Sequence, residues 1–173
     1  DGIDFDHDLK IGMMVEVPSA ALMATTFTKE VDFFSIGTND LVQYTVAVDR
    51  GNERVASLYT AANPAVIKLV KTVIRAARRG NVETSLCGEI AGDPVYTMLL
   101  IGLGLRYLSL VPSQIPAVKQ VIRKVNVDDC ERLARKIGSL DSDRRILATL
   151  RNELQNYVPE AIGGWSAEQV AEA

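Results

Sequence analysis

Two carboxylates, an amide, a guanidinium and a thiol stand where short apolar runs of this chain break off. Glu16 closes the run Ile11-Gly-Met-Met-Val15, and Asp40 follows Val31-Asp-Phe-Phe-Ser-Ile36 after Gly37-Thr-Asn39. Carboxylates from neighbouring runs suit a hard divalent cation such as Mg2+, which takes one or two of them and completes its shell with water and substrate oxygens. The same two residues could instead cap helices. Asn39 and Asp40, behind Gly37, offer backbone N–H groups at a turn, which is the chemistry of an anion cradle. Arg50, in Val48-Asp-Arg-Gly-Asn52, could clamp a phosphate or carboxylate through two parallel hydrogen bonds, or lie solvated on the surface. Cys87 ends the run Val82-Glu-Thr-Ser-Leu86 and precedes Gly88-Glu89. A cysteine there could be a nucleophile, a proton donor or a small buried residue. Cys130 sits among Asp128, Asp129 and Glu131, whose charges disfavour a thiolate, and reads as structural. His7, the single histidine, lies among Asp4, Asp6 and Asp8. The glycine and terminal glutamate of a calcium loop are missing at the required offsets, so His7 reads as a surface residue.

The elements that must position these groups alternate. A strand over Ile11–Val15 leads to a helix from Pro18 to about Phe27, and a strand over Val31–Ile36 leads to a long connection. Asn63-Pro64 starts a helix to about Arg79, stopped by Gly80-Asn81. A strand over Val82–Leu86 is followed by a helix from Asp93-Pro94 to Ile101, and a strand over Leu105–Leu110 by a helix from Ser113 and Pro116 to about Lys124. Two amphipathic helices follow, from Val127 to Ile137 with Asn126 or Asp128 as cap, and from Asp141 to Tyr157. Repeated strand–helix units at this spacing predict an α/β fold with a parallel sheet, either half of an eightfold barrel or a small open sheet. In such folds chemistry gathers at the carboxyl ends of strands, where Glu16, Thr38 to Asp40, Cys87, Glu89, Ser109 and Pro112 fall. Residues 1–157 are expected to form the folded part and 158–173 a poorly ordered tail.

The composition narrows the partners. With 19 basic against 22 acidic residues the formal charge is −3, without the basic footprint that nucleic acid demands. No apolar stretch reaches the roughly 20 residues of a membrane helix, so no membrane partner is expected. Two cysteines in different settings make no disulfide framework, and the expected address is a reducing cytoplasm. The chain opens on Asp1 rather than Met and shows no signal peptide, which predicts a piece of something longer.

Several long strings carry a family resemblance. They are Gly12-Met-Met-Val-Glu16-Val-Pro18, Ile36-Gly-Thr-Asn-Asp-Leu-Val-Gln-Tyr-Thr-Val-Ala-Val-Asp-Arg-Gly-Asn52, Leu86-Cys-Gly-Glu-Ile-Ala-Gly-Asp93, and Gly102-Leu-Gly-Leu-Arg106 leading to Ser109. Over roughly residues 8 to 157 the chain resembles enzyme I of the bacterial phosphotransferase system. The resemblance implies the second half of a (β/α)8 barrel that binds phosphoenolpyruvate and Mg2+. In that family the phosphoryl group passes to a histidine on a separate N-terminal domain, then to a histidine-containing phosphocarrier protein, and pyruvate is released. It implies Glu16 and Asp40 as metal ligands, Asn39 with the backbone at Asn39 and Asp40 on the phosphate, and Arg50 neutralising its charge. Cys87 becomes the acid that protonates the enolpyruvate carbon, and a homodimer is implied. The Ser-His-Ala string of the phosphorylated histidine is absent, as are the first half of the barrel and the carrier-binding domain. Ser109-Leu110 replaces the Ser-Met common in the family. The chain alone is therefore expected to be inactive. Pyruvate phosphate dikinase and phosphoenolpyruvate synthase share the barrel and the cysteine, but Ile90-Ala-Gly92 favours enzyme I over the dikinase's His-Gly-Gly. A nitrogen-branch paralogue of enzyme I shares the same strings. A reading of another class is a non-catalytic half barrel kept for dimerisation.

Overall fold

Each apolar run becomes a strand, and the polar or glycine-rich string behind it becomes the start of a helix. In the computed structural model, which describes residues 3–4, 6–49, 51–52 and 54–159, the chain runs β1 (Gly12–Val15), α1 (Pro18–Leu22), α2 (Ala24–Phe27), β2 (Phe33–Gly37), α3 (Thr38–Val46), α4 (Pro64–Gly80), β3 (Glu83–Cys87), α5 (Glu89–Gly92), α6 (Pro94–Leu103), β4 (Tyr107–Ser109), α7 (Ile115–Lys124), α8 (Val127–Ile137) and α9 (Asp143–Tyr157). The strands form one parallel sheet in the order β1-β2-β3-β4. This is the arrangement of four successive β/α units, consistent with half of a TIM-type barrel.

The helix starts follow local capping chemistry. Asn63 Oδ1 accepts the Ala65 N–H at 2.8 Å ahead of Pro64, and Asp93 Oδ1 accepts the Val95 N–H at 2.9 Å ahead of Pro94. Of the two caps expected for α8, Asn126 is the one used, accepting the Asp129 N–H at 2.9 Å. For α9 the cap position falls on Ser142, one residue after the expected Asp141. The single helix expected from Pro18 to Phe27 is two short ones, because Met23 leaves helical geometry at ψ 6°. Replacing Asn63 by alanine removes its cap bond and should cost about 1 kcal/mol, read as a lowered urea midpoint at unchanged slope.

The side chains sort by face. Val15, Phe34, Ile36 and Leu86 are fully buried beneath the helices, with Val66, Val70, Val73 and Ala77 of α4 in the same core. The strand pattern suggests that Met13, Val15, Phe34 and Ile36 point into a barrel interior; the structure corrects this. Those residues face the helices because, among the described residues, helices cover that side of the sheet alone, and large apolar side chains go where cover is. The other face carries Met14, Ser35, Cys87 and Tyr107, with Met14 46% and Tyr107 54% exposed. β1 and β4 are its two edges.

The last helices complete the helical side. A Cβ on Gly102 would stand 2.0 Å from the Cys130 carbonyl oxygen, so only glycine lets α6 and α8 approach this closely. Ile146, Leu150 and Leu154 of α9 are buried, and so is Val158. The packed body thus reaches past the expected boundary at Tyr157, while residues 160–173 of the expected tail lie outside the described residues.

Candidate functional site

At the carboxyl end of the sheet, strand register brings distant residues to one level. Gly37 pairs with Cys87 and Cys87 with Ser109, so the ends of β2, β3 and β4 are flush. Glu16 follows directly on β1, whose Val15 pairs with Ile36. Its side chain lies across Gly37: a Cβ there would stand 2.9 Å from both Cβ and Oε2 of Glu16 and 3.1 Å from Met14 Sδ. Gly37 is thus required for the close approach of the carboxylate, not for its backbone angles. Neither carboxylate is a helix cap, since the cap positions of α1 and α3 are Val17 and Gly37. Asp40 instead occupies the first turn of α3, where backbone N–H groups point outward and the helix dipole favours negative charge.

Asn39 is held from two sides. Its Oδ1 accepts the Glu89 N–H at 3.0 Å, and its carbonyl accepts the Tyr59 hydroxyl at 3.0 Å. Next to it the Thr38 hydroxyl, fully buried, donates to the Cys87 carbonyl at 2.8 Å. Gly88 makes this junction possible. Its φ of 105° is open to glycine, and a Cβ would meet Thr38 Oγ1 at 2.3 Å and Asn39 Oδ1 at 2.8 Å. The ends of β2 and β3 are therefore bolted together, with one side of the Asn39 amide committed to orientation and its NH2 left to donate.

Cys87 is half-buried on the open face. Its sulfur lies 3.7 Å from the Ser35 hydroxyl, 3.6 Å from the Ile36 carbonyl and 3.9 Å from Met14 Sδ. Met14 therefore touches both Cys87 and the level of Glu16, which places the thiol and the carboxylate on the same side of the sheet. Cys130 is fully buried, its thiol pushed up by burial, in keeping with a structural role. His7 is exposed. Arg50 lies outside the described residues; beside it the Gly51 N–H donates to Asp49 Oδ1 at 2.8 Å. Among the described residues no three His, Cys, Asp or Glu side chains gather as a metal cluster, so a cation here would draw the rest of its shell from elsewhere.

A cleft of about 710 Å³ opens beside this junction, lined among others by Asn39, Tyr59, Glu89, Asp93, Tyr96 and Gln114. It does not reach Cys87 or Glu16. Burial raises the Asp93 carboxyl above the ordinary range, partly offset by the Val95 N–H. Burial, then the Asp93 charge, pushes the Tyr96 hydroxyl up to about 12. Sequence reasoning passed over Ser35, Met14 and Tyr59. The first two are reachable by counting in twos along the strands from Gly37 and Glu16, once the face is known; Tyr59 carries no local signal.

Comparison with known proteins gives one family and a consistent set of relatives. The family described as PEP-utilising enzyme, PEP-binding domain, matches residues 1–127. The phosphoenolpyruvate-protein phosphotransferase of Buchnera aphidicola subsp. Acyrthosiphon pisum is 46% identical over 156 residues, 90% of this chain and 27% of the relative. The protein of the same name from Haemophilus influenzae is 51% identical over 130 residues, 75% of this chain and 23% of the relative. That from Bacillus subtilis is 44% identical over 144 residues, 83% and 25%. The chain thus spans about a quarter of the length of the curated relatives it matches.

Proposed function

Because this chain belongs to the PEP-utilising enzymes and matches their PEP-binding domain, we propose that it supplies half of the phosphoenolpyruvate site of a phosphoenolpyruvate–protein phosphotransferase of the enzyme I type. The observation that carries this reading is the junction itself: Asn39 oriented by Glu89 and Tyr59, Glu16 laid across Gly37, and the Cys87 thiol on the same side of the sheet. Phosphoryl transfer asks a protein chiefly to position the group and neutralise its charge. The Asn39 NH2 and the N–H groups opening α3 donate to the phosphate oxygens, and Arg50 adds a guanidinium.

The donor set fits Mg2+. Glu16 and Asp40 offer hard carboxylate oxygens, and the missing Cβ of Gly37 leaves room for the Glu16 carboxylate. When bound, the ion supplies charge neutralisation on the transferring phosphoryl group and the leaving enolate. The phosphoryl group goes to a histidine of a domain outside this chain, and on to a histidine-containing phosphocarrier protein. We place the protein in the cytoplasm and as a homodimer; among the described residues no helix is long and apolar enough to cross a membrane. The test is to mix the full-length protein with phosphoenolpyruvate and Mg2+ and look for an acid-labile phosphohistidine with release of pyruvate. A protein that makes neither refutes the reading.

Carbon protonation needs its own acid, and a thiol is a side chain that can give a proton to carbon and regain it from solvent. Cys87→Ser should slow pyruvate formation by about 10²–10⁴-fold, because a hydroxyl is a far weaker acid, while phosphoenolpyruvate still binds. Cys130→Ser, far down in the helical core, should leave that rate unchanged. Equal losses in a pyruvate assay would mean that both cysteines act through stability.

A further inference from the structure

The sulfur of Cys87 is surrounded on the sheet face by groups of the two strands beyond it. Ser35 stands two residues before Gly37, the register partner of Cys87, and therefore one pleat below the thiol on the same face. Its hydroxyl donates to Sγ at 3.7 Å, a normal separation for a hydrogen bond to sulfur. The thiol has a single proton to place, and the Ile36 carbonyl at 3.6 Å is a better acceptor than Met14 Sδ at 3.9 Å. Ser35 and Ile36 thus address the sulfur from β2 as donor and acceptor.

Resting on the reading of Cys87 as the carbon acid, we propose that Ser35 is a positioning residue for that cysteine, its hydroxyl holding the sulfur through the whole proton cycle. In the forward direction the S–H bond breaks as a C–H bond forms at the enolate carbon. The carbon–carbon π pair becomes that C–H bond, the enolate oxygen becomes the ketone of pyruvate, and the S–H electron pair stays on sulfur. Solvent water then returns the proton to the thiolate. At the thiolate stage the Ser35 bond becomes charge-assisted, roughly twice as strong as its neutral form. It stabilises the anion in the interval before the proton returns. The hydroxyl touches neither metal ligand nor substrate in this scheme; it acts through the sulfur.

The test uses the full-length protein and reads Cys87 directly. Alkylation by iodoacetamide is followed from neutral to alkaline pH, with Cys87 resolved from other thiols by peptide mass spectrometry. Ser35→Ala should move the midpoint upward and lower the neutral-pH rate about three- to tenfold, the size of a half to one pKa unit. Ser35→Thr, which keeps the hydroxyl, should stay near wild type. Glu16, Asp40 and Glu89 near the neighbouring strand ends and Tyr107 on β4 are common to all three proteins, so the difference isolates Ser35. An unmoved midpoint in Ser35→Ala, or an equal shift in Ser35→Thr, overturns the proposal. Exchange of the pyruvate methyl protons with solvent deuterium separates the two readings. It should fall with the midpoint shift. A shifted midpoint with undiminished exchange would overturn the role of Cys87 itself while leaving the hydrogen bond standing.

Discussion

Alanine at position 40 is expected to lower phosphoenolpyruvate-dependent phosphorylation of the full-length protein by about 10³-fold or more. Asp40 sits in the first turn of α3, directly after the Asn39 that the junction orients. Removing it leaves Glu16 as the single carboxylate of the proposed pair, and with it half of the charge that would hold a divalent cation against substrate phosphate. The competing explanation is loss of fold. A carboxylate in the first turn contributes only about 0.3–1 kcal/mol through the helix dipole, and Asp40 is not the α3 cap. The melting temperature should therefore move by no more than a few degrees while activity collapses. Excess Mg2+ should restore part of the rate, because weakened binding is offset by mass action. A variant with wild-type activity at limiting Mg2+ would remove Asp40 from the site.

What was legible in the sequence followed from how local the signals are. Asn63-Pro64 and Asp93-Pro94 carry their cap and first-turn proline within two residues, and both helices begin there. α3 was not legible. Its nine residues include Thr38, Val42, Thr45 and Val46, β-branched types that lose rotamer freedom in a helix, and it holds by burying Thr38, Leu41 and Val42. Its end, at Ala47 with φ 53°, also lacks the usual glycine.

The strand faces failed for a related reason. Phe33-Phe34 and Met13-Met14 put apolar side chains on both sides, so alternation does not say which face is covered. Only the helices decide, and they cover Phe34 and Ile36. The placement of the candidate residues was easier to read than the strand faces. Glu16, Asn39, Asp40 and Cys87 sit at strand ends, where position follows from topology alone. Ser35 needed the correct face, and Tyr59 needed a chain path that returns to Asn39 after twenty residues.

That same face governs how this 173-residue chain should behave alone. The helical core is complete on its own side, with Val15, Phe34, Ile36 and Leu86 fully buried, so a folded state with a cooperative melt is expected. Among the described residues the other side is a sheet without cover and with two free parallel edges. Apolar side chains stand wet along both: Ile11 at 65% and Met14 at 46% beside β1, Tyr107 and Val111 near 55% beside β4. An apolar groove of about 410 Å³ runs behind β4 between Leu108, Leu110 and Ile122. Charge favours pairing unlike edges, since Asp4, Asp6 and Asp8 precede β1 while Arg106 and Lys119 flank the groove. At roughly 25 cal/mol per Å², covering a few hundred Å² of this surface is worth on the order of 5–10 kcal/mol, as much as a whole domain's stability. Two copies should therefore associate, β4 of one against β1 of the other, with a melting temperature that rises with protein concentration. Tyr107→Lys, an inward-pointing charge on the edge strand, should abolish association without opening the helical core. Sedimentation decides the matter. A monodisperse monomer whose melting temperature ignores concentration would mean that the open face is stable in water by itself, and the half-barrel description would have to give way to a self-sufficient open sheet.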